Sequence, residues 1–279
     1  MSVPDVQIGN DFIFSYENPG NYVEFPEEFI LREGLGLDPN DLGRAADIYE
    51  NYGELFGPNL QELPTPDTPE LAVKARRIEL ERNIKLPRLG VSENQFFTAL
   101  EIELHFKAMH FLAETWIAMK TPGGLEALAE REFTSEYIGA KRKEIEEDLE
   151  ISYVDFMGKL AASEEEVMLY IFWHERRDRF VDLLDVALSK FHVGVDLPQE
   201  RSVSVYAVAC LQLYNLMVNK VPVRVCANET CGRRFSQQIG TAKYGQHRKS
   251  GVKYCSNACG KAQNERERRR RKSRQKDDG

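Results

Sequence analysis

Four of the five cysteines in this chain fall in two close pairs, Cys226 with Cys231 and Cys255 with Cys259, separated by a spacer of 23 residues. Paired thiolates at this spacing suit a tetrahedral ion. Each pair supplies two sulfurs from one tight turn, and the spacer returns the chain to complete the shell. Four thiolates leave no open position for an activated water, so the expected cofactor is one structural Zn2+ and zinc catalysis is not expected at this site. Five cysteines are too few for a disulfide scaffold in a chain of 279 residues. Cys210, inside the apolar run from Val203 to Met217, reads as a small buried hydrophobe. Metal binding in such modules contributes on the order of 10–16 kcal/mol, so the segment should unfold without its ion. His247 stands beside Gln246, Arg248 and Lys249, neighbours that favour a solvent-facing or phosphate-facing role over ligation.

The residues around the pairs suggest how they are positioned. Arg233 and Phe235 follow the first pair, a polar and glycine-containing stretch runs from Ser236 to Gly251, and Val252 and Tyr254 precede the second pair. That order suits a knuckle, a short hairpin and a helix beginning at the second pair, which is the order of a treble-clef finger. Ser256 and Asn257 are suitable residues to open the helix. Beyond Cys259 the chain reads Lys261, Arg266, Arg268, Arg269, Arg270, Arg271, Lys272, Arg274 and Lys276, interrupted only by Glu265 and Glu267 among acidic residues before Asp277. Such a helix has no apolar face to dock on a core, so its stability is expected to come from the zinc site and from whatever neutralises its charge. Arginine offers forked donors to phosphate and to guanine edges.

Cys226-Ala-Asn-Glu-Thr-Cys231-Gly232, Phe235, Tyr254-Cys255-Ser256 and Cys259-Gly260 with the following basic helix resemble the CGNR zinc-finger family of bacterial transcription regulators. The likeness spans Pro222 to about Arg271, with Lys261-Ala262 where the family signature has Asn-Arg. It implies a DNA-binding finger. The helical sensing domain found in that family is not matched residue by residue.

Net charge supports a polyanionic partner once it is divided along the chain. Residues 220–279 carry 17 Lys and Arg against 5 Asp and Glu, a net +12, and residues 1–219 carry 20 against 40, a net −20. The basic part is expected to seek phosphate, and the acidic body to limit indiscriminate binding. The expected partner is DNA, with RNA a second polyphosphate open to it; no membrane is expected, and a homodimer through the helical part is open. The nucleic-acid contacts expected are Arg233, Arg248, Lys249, Lys261, Arg266, Arg268, Arg269, Arg270 and Arg271, while Tyr244 reads more simply as a loop aromatic. No apolar run is long enough for a membrane span and Met1 to Asn10 lack a signal-peptide pattern, so the expected location is cytoplasmic.

The expected fold class is mainly α: an acidic helical domain over 1–220, a small treble-clef-like four-cysteine finger over 221–264, and a basic helix over 265–279. A short hairpin is expected within 6–25 and a proline-rich linker over 57–69. Helices are expected over Glu27–Leu35, over Asp41–Phe56 with Asp41 as cap, and over Leu125–Glu132, Ser135–Leu160 and about Glu200–Asn219. Two more open on capping boxes, one at Ser92 with Gln95 before Phe96 to Trp116, the other at Ser163 with Glu166, ending near Gly194. The short connection from Lys220 to Arg224 is compatible with ordered coupling of body and finger.

Within the helical part, Glu101 with His105 and His110 with Glu114 stand four apart on one helix, a spacing that can present two ligands to a metal. They read more simply as polar positions beside a core stripe. His174-Glu175 begins like a metalloprotease motif, but Asp178 stands where the second histidine belongs. No catalytic set is expected. A zinc-dependent DNA-binding regulator is the favoured reading; a protein-interaction module built on the basic segment and a nucleic-acid-processing enzyme are the two other classes.

Overall fold

The computed structural model describes residues 6–9, 11–15, 25, 29–56, 69–150, 152–160, 163–191, 204–220, 222–236 and 253–277. They form a mainly helical protein whose C-terminal part is a small β-hairpin, the four cysteines and a final helix. The expected contacts Arg248 and Lys249, the residues Tyr244 and His247, the linker 57–69 apart from Pro69, and Gly194 lie outside the described residues.

A three-stranded antiparallel sheet opens the chain, with β1 (Val6–Ile8), β2 (Phe12–Ser15) and β3 (Phe96–Thr98) in that order. The β1–β2 pair is the hairpin expected near the start; β3 was expected to be the first turn of a helix. Phe96, Phe97 and Thr98 instead pair with Phe14, Ile13 and Phe12. The Ser92–Gln95 box is present, with Ser92 N–H donating to Gln95 Oε1 at 3.0 Å, but it caps a single 3-10 turn. Helix α4 (Ala99–Lys120) starts three residues after Phe96 on a second box. Glu101 N–H donates to Thr98 Oγ1 at 3.2 Å, and Thr98 N–H donates to Glu101 Oε2 at 2.9 Å.

Other helix bounds follow from local stereochemistry. Helix α1 (Phe29–Arg32) passes into a 3-10 turn over Gly34–Gly36 within the span expected to be one helix, whose residues 27 and 28 lie outside the described residues. Asp41 caps α2 (Leu42–Tyr52), accepting from Arg44 N–H at 2.9 Å, and the helix ends at Gly53, whose φ of 91° no ordinary side chain tolerates well, before the expected Phe56. Helix α3 (Pro69–Leu89) was not expected, because its buried positions include Arg82 as well as Ile78 and give no clean apolar stripe. Helix α5 covers Gly124–Glu132. The single helix expected from Ser135 to Leu160 is two, α6 (Ser135–Leu149) and α7 (Tyr153–Lys159). Glu150 takes a left-handed conformation between them, and Ser152 caps α7 by accepting from Asp155 N–H at 3.1 Å. The Ser163–Glu166 box opens α8 (Glu164–Leu188), and Ser204 caps α9 (Val205–Val218).

Two compact units result, one made of 1–113 with 186–279 and the other of 114–185. In the first, Ile13, Tyr49, Phe56, Phe96, Phe97, Phe106 and Tyr206 are fully buried. The backbone at Glu54 and Leu55 accepts from Val205 and Tyr206 N–H at 2.8 and 3.1 Å, fixing the start of α9. In the second, Ala118, Leu128, Ala129 and Phe172 form a core, and buried Arg176 is held by Thr115 Oγ1 at 2.8 Å and by Glu132. No helix of the described residues is long and apolar enough to cross a membrane.

Candidate metal centre and its basic helix

Strand β4 (Val223–Val225) leads directly from α9 into the first cysteine pair, and β5 (Arg234–Ser236) leaves it. The two pair antiparallel, Arg224 opposite Phe235, so the knuckle is itself the turn of a hairpin. The hairpin expected after the knuckle, between Arg233 and Tyr254, falls mostly on 237–252, outside the described residues, and its first side, Arg234–Ser236, pairs with β4 instead. Cys226 N–H donates to Arg233 O at 2.8 Å and Cys231 N–H to Asn228 O at 2.8 Å, which curls the loop; Gly232, at φ 59°, supplies the left-handed step. Buried Phe235 and Cys226 anchor the hairpin. Helix α10 (Asn257–Asp277) opens at the second pair, where Ser256 Oγ accepts from Cys259 N–H at 3.2 Å. Ala227 N–H donates to Lys253 O at 2.9 Å and joins the two halves.

The four sulfurs lie within 4.8 Å of one another, with Cys231 Sγ 3.6 Å from Cys255 Sγ and Cys255 Sγ 3.5 Å from Cys259 Sγ. A tetrahedral zinc–thiolate shell with bonds of about 2.3 Å has sulfur–sulfur edges of roughly 3.8 Å, so the cluster is suited to one such ion. Cys255 N–H also points at Cys226 Sγ, at 3.4 Å, a contact that stabilises a thiolate. Without a cation the sulfurs act on one another unequally. Burial, then the neighbouring sulfurs, pushes the Cys255 thiol up to about 12; the Asn228 side chain and Ser256 draw Cys259 down to about 6. A divalent ion at the centre favours the thiolate at all four. Among the described residues no other group of three or more His, Cys, Asp or Glu side chains has this geometry.

The basic helix is docked through polar contacts, where the sequence left it with nothing to dock on. Its partner is the knuckle between Cys226 and Cys231. Buried Gln263 donates to Glu229 Oε1 at 3.0 Å and accepts from Glu229 N–H at 3.3 Å. Arg266 donates to Asn228 Oδ1 and, at 2.6 Å, to Thr230 Oγ1. Arg270 grips both carboxylate oxygens of Glu229 at 2.7 Å, and this pairing holds the Glu229 carboxyl down at about 2. Gln263, Arg266 and Arg270 recur at helical spacing on one face. Polar knuckle residues facing an i, i+3, i+7 polar set were the available signal, and charge alone does not distinguish these arginines from their neighbours.

Of the expected nucleic-acid contacts, Arg266 and Arg270 are therefore committed to the knuckle. Lys261, Arg268, Arg269 and Arg271 are exposed on α10, and among the described residues Arg268 and Arg269 pair only with Glu265, at 2.9 and 3.1 Å. Arg233 is exposed beside the cysteines.

The carboxylate and imidazole pairs of the helical part do not form open metal sites. Buried Glu101 receives Arg82 Nε at 3.0 Å on one oxygen and Thr98 on the other. His105, fully buried, donates Nδ1–H to Glu101 O at 2.8 Å and stacks on Phe56 with ring centroids 4.0 Å apart. Glu114 is bound by both Arg131 guanidinium nitrogens, at 3.2 and 2.9 Å, and Glu175 by Lys141. Compared with family models, with curated proteins and with solved structures, the chain gives no match.

Proposed function

We propose that this chain binds one zinc ion through Cys226, Cys231, Cys255 and Cys259 and uses α10 to bind DNA, as a regulator whose helical part senses a ligand or oligomerises. The observation that carries the reading is the division of labour on α10. Two arginines hold the helix against the knuckle, and Lys261, Arg268, Arg269 and Arg271 stand in solvent on a rod of fixed direction. A merely solvated tail has no need of such a clamp. The resemblance of the finger to the CGNR type supports the same reading, as does the net +12 of residues 220–279.

Binding of labelled duplex DNA by the zinc-loaded chain across a salt series tests it. If about five phosphates are neutralised, log affinity should fall against log salt with a slope near −4.5. Binding that ignores salt, or no binding at low salt, contradicts the proposal.

A further inference from the structure

Helix α10 has a second face whose chemistry the clamp does not use. At 100° per residue, Asn257, Lys261, Asn264, Arg268 and Arg271 lie along one stripe, roughly 150° around the axis from Gln263, Arg266 and Arg270. All five are exposed. The first part of this stripe borders a groove lined by Lys253, Tyr254, Asn257, Lys261 and Asn264. Tyr254 forms its wall, since a Cβ on Gly260 would meet the ring at 3.2 Å; the ring therefore lies directly on the helix backbone. The exposed pair of Arg268 with Glu265 is of the kind that a phosphate or a base edge displaces at little cost.

Resting on the DNA-binding reading, we infer that this stripe reads base edges in the major groove of duplex DNA, with Asn257 and Asn264 as specificity residues. Asparagine pairs bidentately with adenine, and lysine and arginine with guanine, so the stripe carries the side chains that discriminate bases. The clamp face carries those that hold the helix. A helix about 10–12 Å across fits the major groove of B-form DNA, whereas the deep, narrow major groove of an RNA duplex does not admit it. Lys253 lines the groove before the helix begins and Arg271 lies toward the C-terminal end of the stripe, so that the proposed reading gives each a place against the backbone on either side of the bases that are read. From Asn257 to Arg271 the stripe extends along on the order of five base pairs.

The test is selection from a duplex library with one randomised segment, using the full zinc-loaded chain. The wild type should enrich one word of on the order of five base pairs. Asn257→Ala/Asn264→Ala should bind an unselected duplex within about threefold of wild type and with the same salt slope, because no charge is lost. It should lose about tenfold of the preference at the affected base pairs. Asn264→Ala alone, in mid-helix and outside the clamp, should lose part of that preference without touching the start of the helix. Unchanged enrichment in both variants overturns the inference, as does wild-type binding with no enrichment, and either leaves the DNA-binding reading standing. Failure of the wild type to bind any duplex in a salt-dependent way overturns the reading beneath it.

Discussion

At the scale of the residue, His105 and Glu101 show how a feature that resembles a metal site becomes a packing device. Their i, i+4 spacing was legible, but their partners were not, because Arg82 and Phe56 come from segments far away in sequence. The Thr98-Ala99-Leu100-Glu101 capping box was fully legible and yet was overshadowed by the box at Ser92. Burial draws His105 down to about 4, helped by the charge of Arg82 and opposed by the hydrogen bond to Glu101 O. Burial pushes the Glu101 carboxyl up, against Arg82 and Thr98, which favour the carboxylate. For His105 the unfolded chain then holds the extra proton between about pH 4 and 6.5, so its neutral burial stabilises the fold above pH 6.5 and that stability is lost as pH falls toward 4. The stake is about 3 kcal/mol. Urea unfolding at pH 7 and pH 4.5 should show a larger loss in the wild type than in His105→Gln, and the difference cancels the pH dependence of the cysteine cluster. Equal losses would show that His105 is not buried as the neutral base.

At the scale of the element, the finger is a hairpin and a helix joined by one sulfur cluster and one polar clamp. The cysteine spacing announced the first junction, and Ser256-Asn257 announced where α10 begins. The clamp was hidden, since a run of arginines looks uniform until Asn228, Glu229 and Thr230 select two of them. The same lack of contrast concealed the break between α6 and α7, where a charged helical run gave no sign that Glu150 would turn left-handed. Pairing with Phe12–Phe14 likewise took Phe96–Thr98 out of α4. If the clamp stabilises the finger, Arg266→Ala should remove the charged hydrogen bonds to Asn228 Oδ1 and Thr230 Oγ1 and cost about 1–3 kcal/mol, read as about a tenfold weaker hold on zinc in a chelator competition. Arg269→Ala, whose one partner among the described residues is exposed Glu265, should change it little. Indistinguishable variants would remove the clamp from the account.

At the scale of the whole molecule, the finger belongs to the same compact unit as the start of the chain, because β5 lies against α1 and Phe29 N–H donates to Gln212 Oε1 of α9 at 2.9 Å. The short Lys220–Arg224 connection hinted at that coupling, but a segment nearly two hundred residues upstream supplies the contact. The contrast of charge between body and tail was legible from counting alone; the direction in which α10 carries its charge was not. On the proposed zinc-binding reading that direction would depend on the metal, since the knuckle that holds α10 is itself curled around two of the four sulfurs. X-ray absorption at the zinc edge of the purified chain tests this dependence at its root. The account predicts one zinc per chain with four sulfur neighbours at about 2.3 Å and none lighter. A shell containing nitrogen or oxygen, or a chain that folds α10 onto the knuckle without any metal, would contradict it.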